Sequence, residues 1–216
     1  MSSRESESDI RRCAVAAAAW LVTCCAAVCV AALGILSVGK LRSAVEIESS
    51  YVALVVAQAV FLVFIWPLFE SRGASGRDGG LPGLCVRLAV LFVLSLPLLL
   101  LTLRTREIGL GAVVWSQVLV FLMGVTAGVA VRLPGAVSWY MPCAFLLSAV
   151  VPLAAYMLFE EGRVSAVWAG AVSPPWAAAA VASGGGRLAP LLIFACLGVG
   201  VSLVFLRARV VAPDQG

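Results

Sequence analysis

Six stretches of this chain stay apolar for about the length of a lipid bilayer, and that feature leaves few folds open to it. They are residues 13–38, 51–69, 85–103, 110–131, 137–159 and 188–206. A helix rises about 1.5 Å per residue, so about 20 apolar residues cross about 30 Å of hydrocarbon. Inside lipid every backbone N–H and C=O must pair within the protein, which restricts spanning structures to helices and closed barrels. Barrel strands would show short runs alternating apolar and polar, whereas these runs are continuously apolar. The expected fold is therefore all-α, a polytopic membrane bundle. It has a tail at 1–12, six spans over 13–206 and a second tail at 207–216.

Composition agrees. Hydrophobic residues make up 62% of the chain and charged ones 12%, against roughly half and a quarter in soluble domains. The connections are too short to hold a separate soluble domain with its own core, so any nucleotide-binding fold must come from another chain. The first span follows Arg11 and Arg12 as a signal peptide would, but its apolar core is far longer than the 7–15 residues of a signal segment. A lipidation box ending at Cys24 is disfavoured by Thr23, which stands where a small residue is usual.

The basic residues sit at span ends, where they set orientation rather than bind nucleic acid. With the N-terminus inside, nine Lys and Arg fall inside (Arg4, Arg11, Arg12, Arg72, Arg77, Arg87, Arg132, Arg207 and Arg209). Six fall outside: Lys40, Arg42, Arg104, Arg106, Arg163 and Arg187. Both termini are thus expected in the cytoplasm. Spans rich in Ala and Val, with Arg far exceeding Lys, suggest a bacterial genome of high GC content, and the expected location is the cytoplasmic (inner) membrane.

The chain has no histidine. Bis-histidine haem, histidine-based zinc or copper sites and Ser–His proteolysis all need the missing imidazole. "FEEGR" at 159–163 has the Glu-Glu of CAAX-type membrane proteases but lacks their partner histidines. Of the seven cysteines, Cys25 and Cys29 share a helical face and could hold a soft metal; packing as small apolar residues is the plainer role. No catalytic, cofactor-binding or metal-binding residue is assigned.

Polar groups inside a bilayer are expensive, which singles out Gln58, Ser95, Ser116, Gln117, Thr126 and Ser148. Gln58 and Gln117 read as hydrogen-bonding glue between helices, and Gly124 and Gly128 as a small-residue face allowing close helix approach. No carboxylate lies in a span interior, against the habit of ion-driven transporters. Pro97, Pro142 and Pro152 fall within spans, where each permits a kink. The apolar stretch between 160 and 187 is too short to cross fully. Pro174 and Pro175 suit the turn of a re-entrant segment before the last span, and a partly ordered exterior loop is the alternative.

The six-span layout, the sequence Pro67-Leu-Phe-Glu70-Ser-Arg72-Gly73 and the apolar "VSPPWAAAAVA" at 172–182 together resemble the permeases of type 2 ABC exporters, in particular the haem-exporter B and copper-enzyme-maturation types. The resemblance implies a permease that pairs with a separate ABC-type ATPase subunit. It also implies a homodimer, or a heterodimer with another permease, and movement of a hydrophobic or amphipathic substrate. Glu70, Arg72 and Gly73 would then begin the loop on which the ATPase acts. This sequence departs from the family after Gly73, where "ASGRDGGLPGL" replaces a Leu-rich docking segment and its glycines disfavour a coupling helix. The alternative function is a non-transporting scaffold that assembles with other membrane proteins through Gly124 and Gly128.

Overall fold

A computed structural model of the chain describes residues 3–37, 46–73, 80–104, 109–133, 135–154, 173–184 and 188–211. Among these residues the regular structure is helical, with no strand. The elements are α1 (Ser3–Ser37), α2 (Glu46–Val60), a π-helical turn (Phe61–Ile65), α3 (Trp66–Gly73), α4 (Leu81–Arg104), α5 (Leu110–Ala130), α6 (Ala136–Phe145), a second π turn (Leu146–Val150), α7 (Pro174–Ala182) and α8 (Leu188–Val211).

Among the described residues, four helical segments are long and apolar enough to cross a membrane: Ile10–Ala31, Ser50–Ser71, Leu81–Leu103 and Leu110–Ala130. The second is a single rod made of α2, the first π turn and α3. Two shorter apolar helices, Ser138–Ala154 and Ala189–Val204, coincide with the fifth and sixth expected spans. Residues 155–159 of the fifth expected span, and the connection as far as residue 172, lie outside the described residues.

The third expected span, α4, starts at Leu81, four residues before the apolar run at 85 suggests. Pro82 explains the shift, because its missing N–H and fixed φ suit the first turn of a helix. Gly135 caps the start of α6 with φ 70° and Gly184 follows α7 with φ 82°. Both are left-handed conformations that glycine adopts without a Cβ penalty.

The core lies along α2 and α5. In the most apolar windows of the four long segments, 50% of Ser50–Ser71 and 56% of Leu110–Ala130 is buried, against 17% for α1 and 22% for α4. Trp20 of α1 reaches inward to meet Phe61 edge-on, with ring centroids 5.1 Å apart, and lies 5.9 Å from Phe92 of α4. Phe92 in turn meets Phe121 of α5 at 5.7 Å. These aromatics fill the space among four helices and add specific edge contacts to dispersion, the main attraction left where lipid is as apolar as the core.

Helix direction follows from contacts at the two ends. Tyr51 meets Ser116 near the start of both α2 and α5, while Glu70 meets Arg132 near the end of α3 and just after α5. The α2–α3 rod and α5 therefore run parallel. Arg87, in the second turn of α4, also meets Glu70, so α4 runs antiparallel to both. One end of the bundle gathers Glu70, Gly80, Arg87 and Arg132, and the other holds Tyr51 and the start of α5.

Candidate functional site: a charged clamp and a neutral polar chain

Glu70 is the centre of the charged end. Its side chain, near the end of α3, is 6% exposed. Arg87 places Nη2 3.1 Å from Oε2 and Nε 3.0 Å from Oε1, the second being an ion-pair contact without hydrogen-bond alignment. Arg132 places Nη2 2.5 Å from Oε2 and directs Nη1 at the Gly80 carbonyl, 3.5 Å away.

The two arginines are not equivalent. The Arg87 side chain is 36% exposed and its pair is screened by water, whereas that of Arg132 is 7% exposed. Arg132 follows the C-terminus of α5, where a cation also meets the negative end of the helix dipole. One carboxylate thus ties together the end of α3, the start of α4 and the end of α5. Arg72 and Gly73 continue α3 as its last two residues, but their side chains, and residues 74–79 after them, lie outside the described set.

Between the two ends a neutral chain crosses the bundle. Gln117 of α5 donates through Nε2 to Oε1 of Gln58 on α2 at 3.1 Å, and Gln58 donates through Nε2 to the Ser95 hydroxyl of α4 at 3.3 Å. The Ser95 hydroxyl in turn donates to the Phe92 carbonyl at 2.9 Å. Beside Gln117, Ser116 shares a 2.5 Å hydrogen bond with the Tyr51 hydroxyl. Three helices are linked by side chains that carry no charge, and Gln58 is fully buried at the middle of its rod. The two glutamines singled out in the sequence are partners of each other.

The small-residue face of α5 is filled by the chain itself. A Cβ at Gly124 would lie 3.0 Å from Leu88 Cδ2 and 3.1 Å from Leu62 Cδ1. One at Gly128 would lie 2.6 Å from Leu84 Cδ1. Glycine lets the α2–α3 rod and α4 approach α5 this closely. Thr126 faces α8, where a Cβ on Gly198 would meet its Oγ1 at 3.0 Å.

Pro174 and Pro175 open α7 at its first two positions, where proline costs no helical hydrogen bond. Nine residues make a helix about 13 Å long, less than half a hydrocarbon thickness. Its buried residues include Ala177, Ala178, Val181 and Ala182, and it rests against α2 and α5. Cys25 and Cys29 of α1 are exposed and Cys24 is buried. Among the described residues no group of three or more Cys, Asp or Glu comes together to hold a metal.

Glu70, expected at the start of a loop, is helical in α3 and pairs with Arg87 and Arg132, partners that its sequence position alone does not name. A signal was present, since Glu70, Arg87 and Arg132 all flank span ends expected on one side of the membrane, where opposite charges can meet. No protein-family model, curated protein or solved structure matches the chain.

Proposed function

We propose that this chain is the membrane-embedded permease subunit of a transport system whose ATP hydrolysis belongs to a separate ABC-type ATPase subunit, and that it moves a hydrophobic or amphipathic substrate. The observation that carries this reading is the Glu70 clamp. Force applied to the segment after Gly73 reaches α4 through Arg87 and α5 through Arg132, so one contact point moves three helix ends together. The same glutamate lies in the Pro67-x-x-Glu70-x-Arg72-Gly73 sequence on which the resemblance to type 2 ABC exporters rests.

The reading takes the bundle as six spans, counting Ser138–Ala154 and Ala189–Val204 with the four longer segments. It takes α7 as the inner limb of a re-entrant segment, because a helix of that length rests against α2 and α5 without crossing. The excess of arginine puts the clamp end and both termini in the cytoplasm of an inner membrane. Two copies, or one copy with a second permease, would complete the pathway. A non-transporting scaffold built through Gly124 and Gly128 is the weaker reading, because Leu62, Leu84 and Leu88 of the same chain occupy that face.

Affinity purification of the tagged chain from its native membrane tests the proposal. It should bring down a subunit bearing a Gly-x-x-x-x-Gly-Lys-Ser/Thr phosphate loop, and ATP hydrolysis by that subunit should rise when the two are reconstituted together. Glu70→Gln should insert normally yet lose most of the rise. Recovery of the chain with membrane proteins that bind no nucleotide would count against the permease reading.

A further inference from the structure

The second membrane rod changes pitch next to the clamp. Its α2 part ends at Val60, five π-helical residues follow, and α3 resumes at Trp66. At the turn the Trp66 N–H pairs with the Phe61 carbonyl, five residues back instead of four. Pro67 supplies a physical reason. It has no N–H, and its ring crowds the carbonyl four residues earlier, that of Val63. Widening the turn relieves the crowding, and the Val63 carbonyl accepts a hydrogen bond from the Tyr140 hydroxyl of α6 at 2.9 Å. The same register recurs in the fifth apolar helix, where the π turn Leu146–Val150 precedes Pro152 by the same interval.

The two sides of the first turn are held by separate contacts. On one side Gln58 of α2 is bonded to Gln117 and Ser95; on the other, Glu70 of α3 is bonded to Arg87 and Arg132. Between them Trp66 lies against α5 at Gly128, where a Cβ would come within 3.2 Å of its Nε1. Trp66 is buried, and its Nε1 has no hydrogen-bond partner. A buried donor without an acceptor disfavours the position in which it is held, and a glycine surface offers little resistance to the indole moving.

We infer that residues 61–67 form a hinge, latched by the Tyr140 hydroxyl on the Val63 carbonyl, about which α3 and its Glu70 clamp swing as one piece against a fixed α2. The inference concerns motion of the bundle itself and does not rest on the permease reading.

Hydrogen–deuterium exchange of the intact chain in lipid nanodiscs reads such local opening directly. Tyr140→Phe keeps the ring and removes only the hydroxyl. It should raise exchange of the amides at 64–73 by about three- to tenfold, the range for loss of one hydrogen bond between membrane helices, while amides at 51–60 and 113–127 stay unchanged. Pro67→Ala returns an N–H to the Val63 carbonyl, so it should slow exchange at 64–73 and abolish the effect of Tyr140→Phe made in the same chain. Unaltered exchange at 64–73 in Tyr140→Phe would overturn the hinge. So would an equal rise at 113–127, which marks general loosening, or a Tyr140→Phe effect that persists undiminished when Pro67→Ala is also present.

Discussion

The middle of this bundle and its charged end are held by different chemistry. In the middle, Gln117, Gln58 and Ser95 join three helices through neutral amides and a hydroxyl. At the end, a carboxylate and two guanidinium groups join the same three rods. Depth accounts for the difference. A charged side chain at the centre of a bilayer costs about 2.5–3.5 kcal/mol on insertion scales, a cost that falls toward the headgroups. Neutral hydrogen bonds are therefore used where water is absent, and ion pairs where one partner, Arg87, still reaches solvent. The neutral bonds should each be weak and replaceable, because a helix in lipid finds other partners for a glutamine. The ion cluster should be intolerant of losing Glu70, the one anion that the described residues bring to it.

Breaking the charged end should have the largest effect. Glu70→Ala removes the carboxylate that Arg132 and Arg87 share, and should destabilise the bundle by about 3–5 kcal/mol, as for a buried pair that loses one member. Unfolding of the bicelle-embedded protein by titrated SDS would measure it. Arg87→Ala should cost far less, about 1 kcal/mol or below, because that pair is partly solvated.

The glycine contact beside the charged end comes next. Gly128→Leu adds a side chain where even a Cβ lies 2.6 Å from the buried Leu84, and overpacking of this kind costs about 1–3 kcal/mol. The same titration should place it between Glu70→Ala and any change in the neutral chain. If Gly128→Leu instead left stability intact while abolishing association with other membrane proteins, this face would be an assembly surface.

The neutral middle should respond least. Gln58→Leu removes two hydrogen bonds and should cost about 1 kcal/mol. Gln58→Leu combined with Gln117→Leu should cost no more than Gln58→Leu alone, since removing both partners leaves no amide unpaired. A double variant clearly worse than either single one would mean that the neutral chain is as indispensable as the clamp, and the contrast between the two regions would fail.

Helix-forming segments were legible because lipid imposes a length and an apolar composition on them. The run at 110–131 is α5 almost to the residue, and Pro82 could have moved the third start from 85 to Leu81. Gln58 and Gln117 stood out for a sound reason, the cost of polar groups at depth. Their pairing with each other did not, because it depends on how α2 and α5 rotate about their axes, which Gly124, Leu62 and Leu88 decide by packing. Glu70 looked solvated because it lies one residue past an apolar run. Its burial comes from Arg87 and Arg132, 17 and 62 residues away in sequence. The π turn had one clue, Pro67, and a proline inside a helix does not by itself say whether the turn before it widens: Pro97 lies within the α-helix α4.

A double-mutant cycle between Glu70→Gln and Arg132→Gln, with unfolding measured in lipid bicelles, probes the clamp most directly. If one buried carboxylate locks the ends of α3 and α5, each single variant should be costly and the pair should couple by at least about 1.5 kcal/mol, as close, desolvated charge pairs do. Costs that simply add, to within about 0.5 kcal/mol, would mean that Glu70 and Arg132 do not hold these helices together.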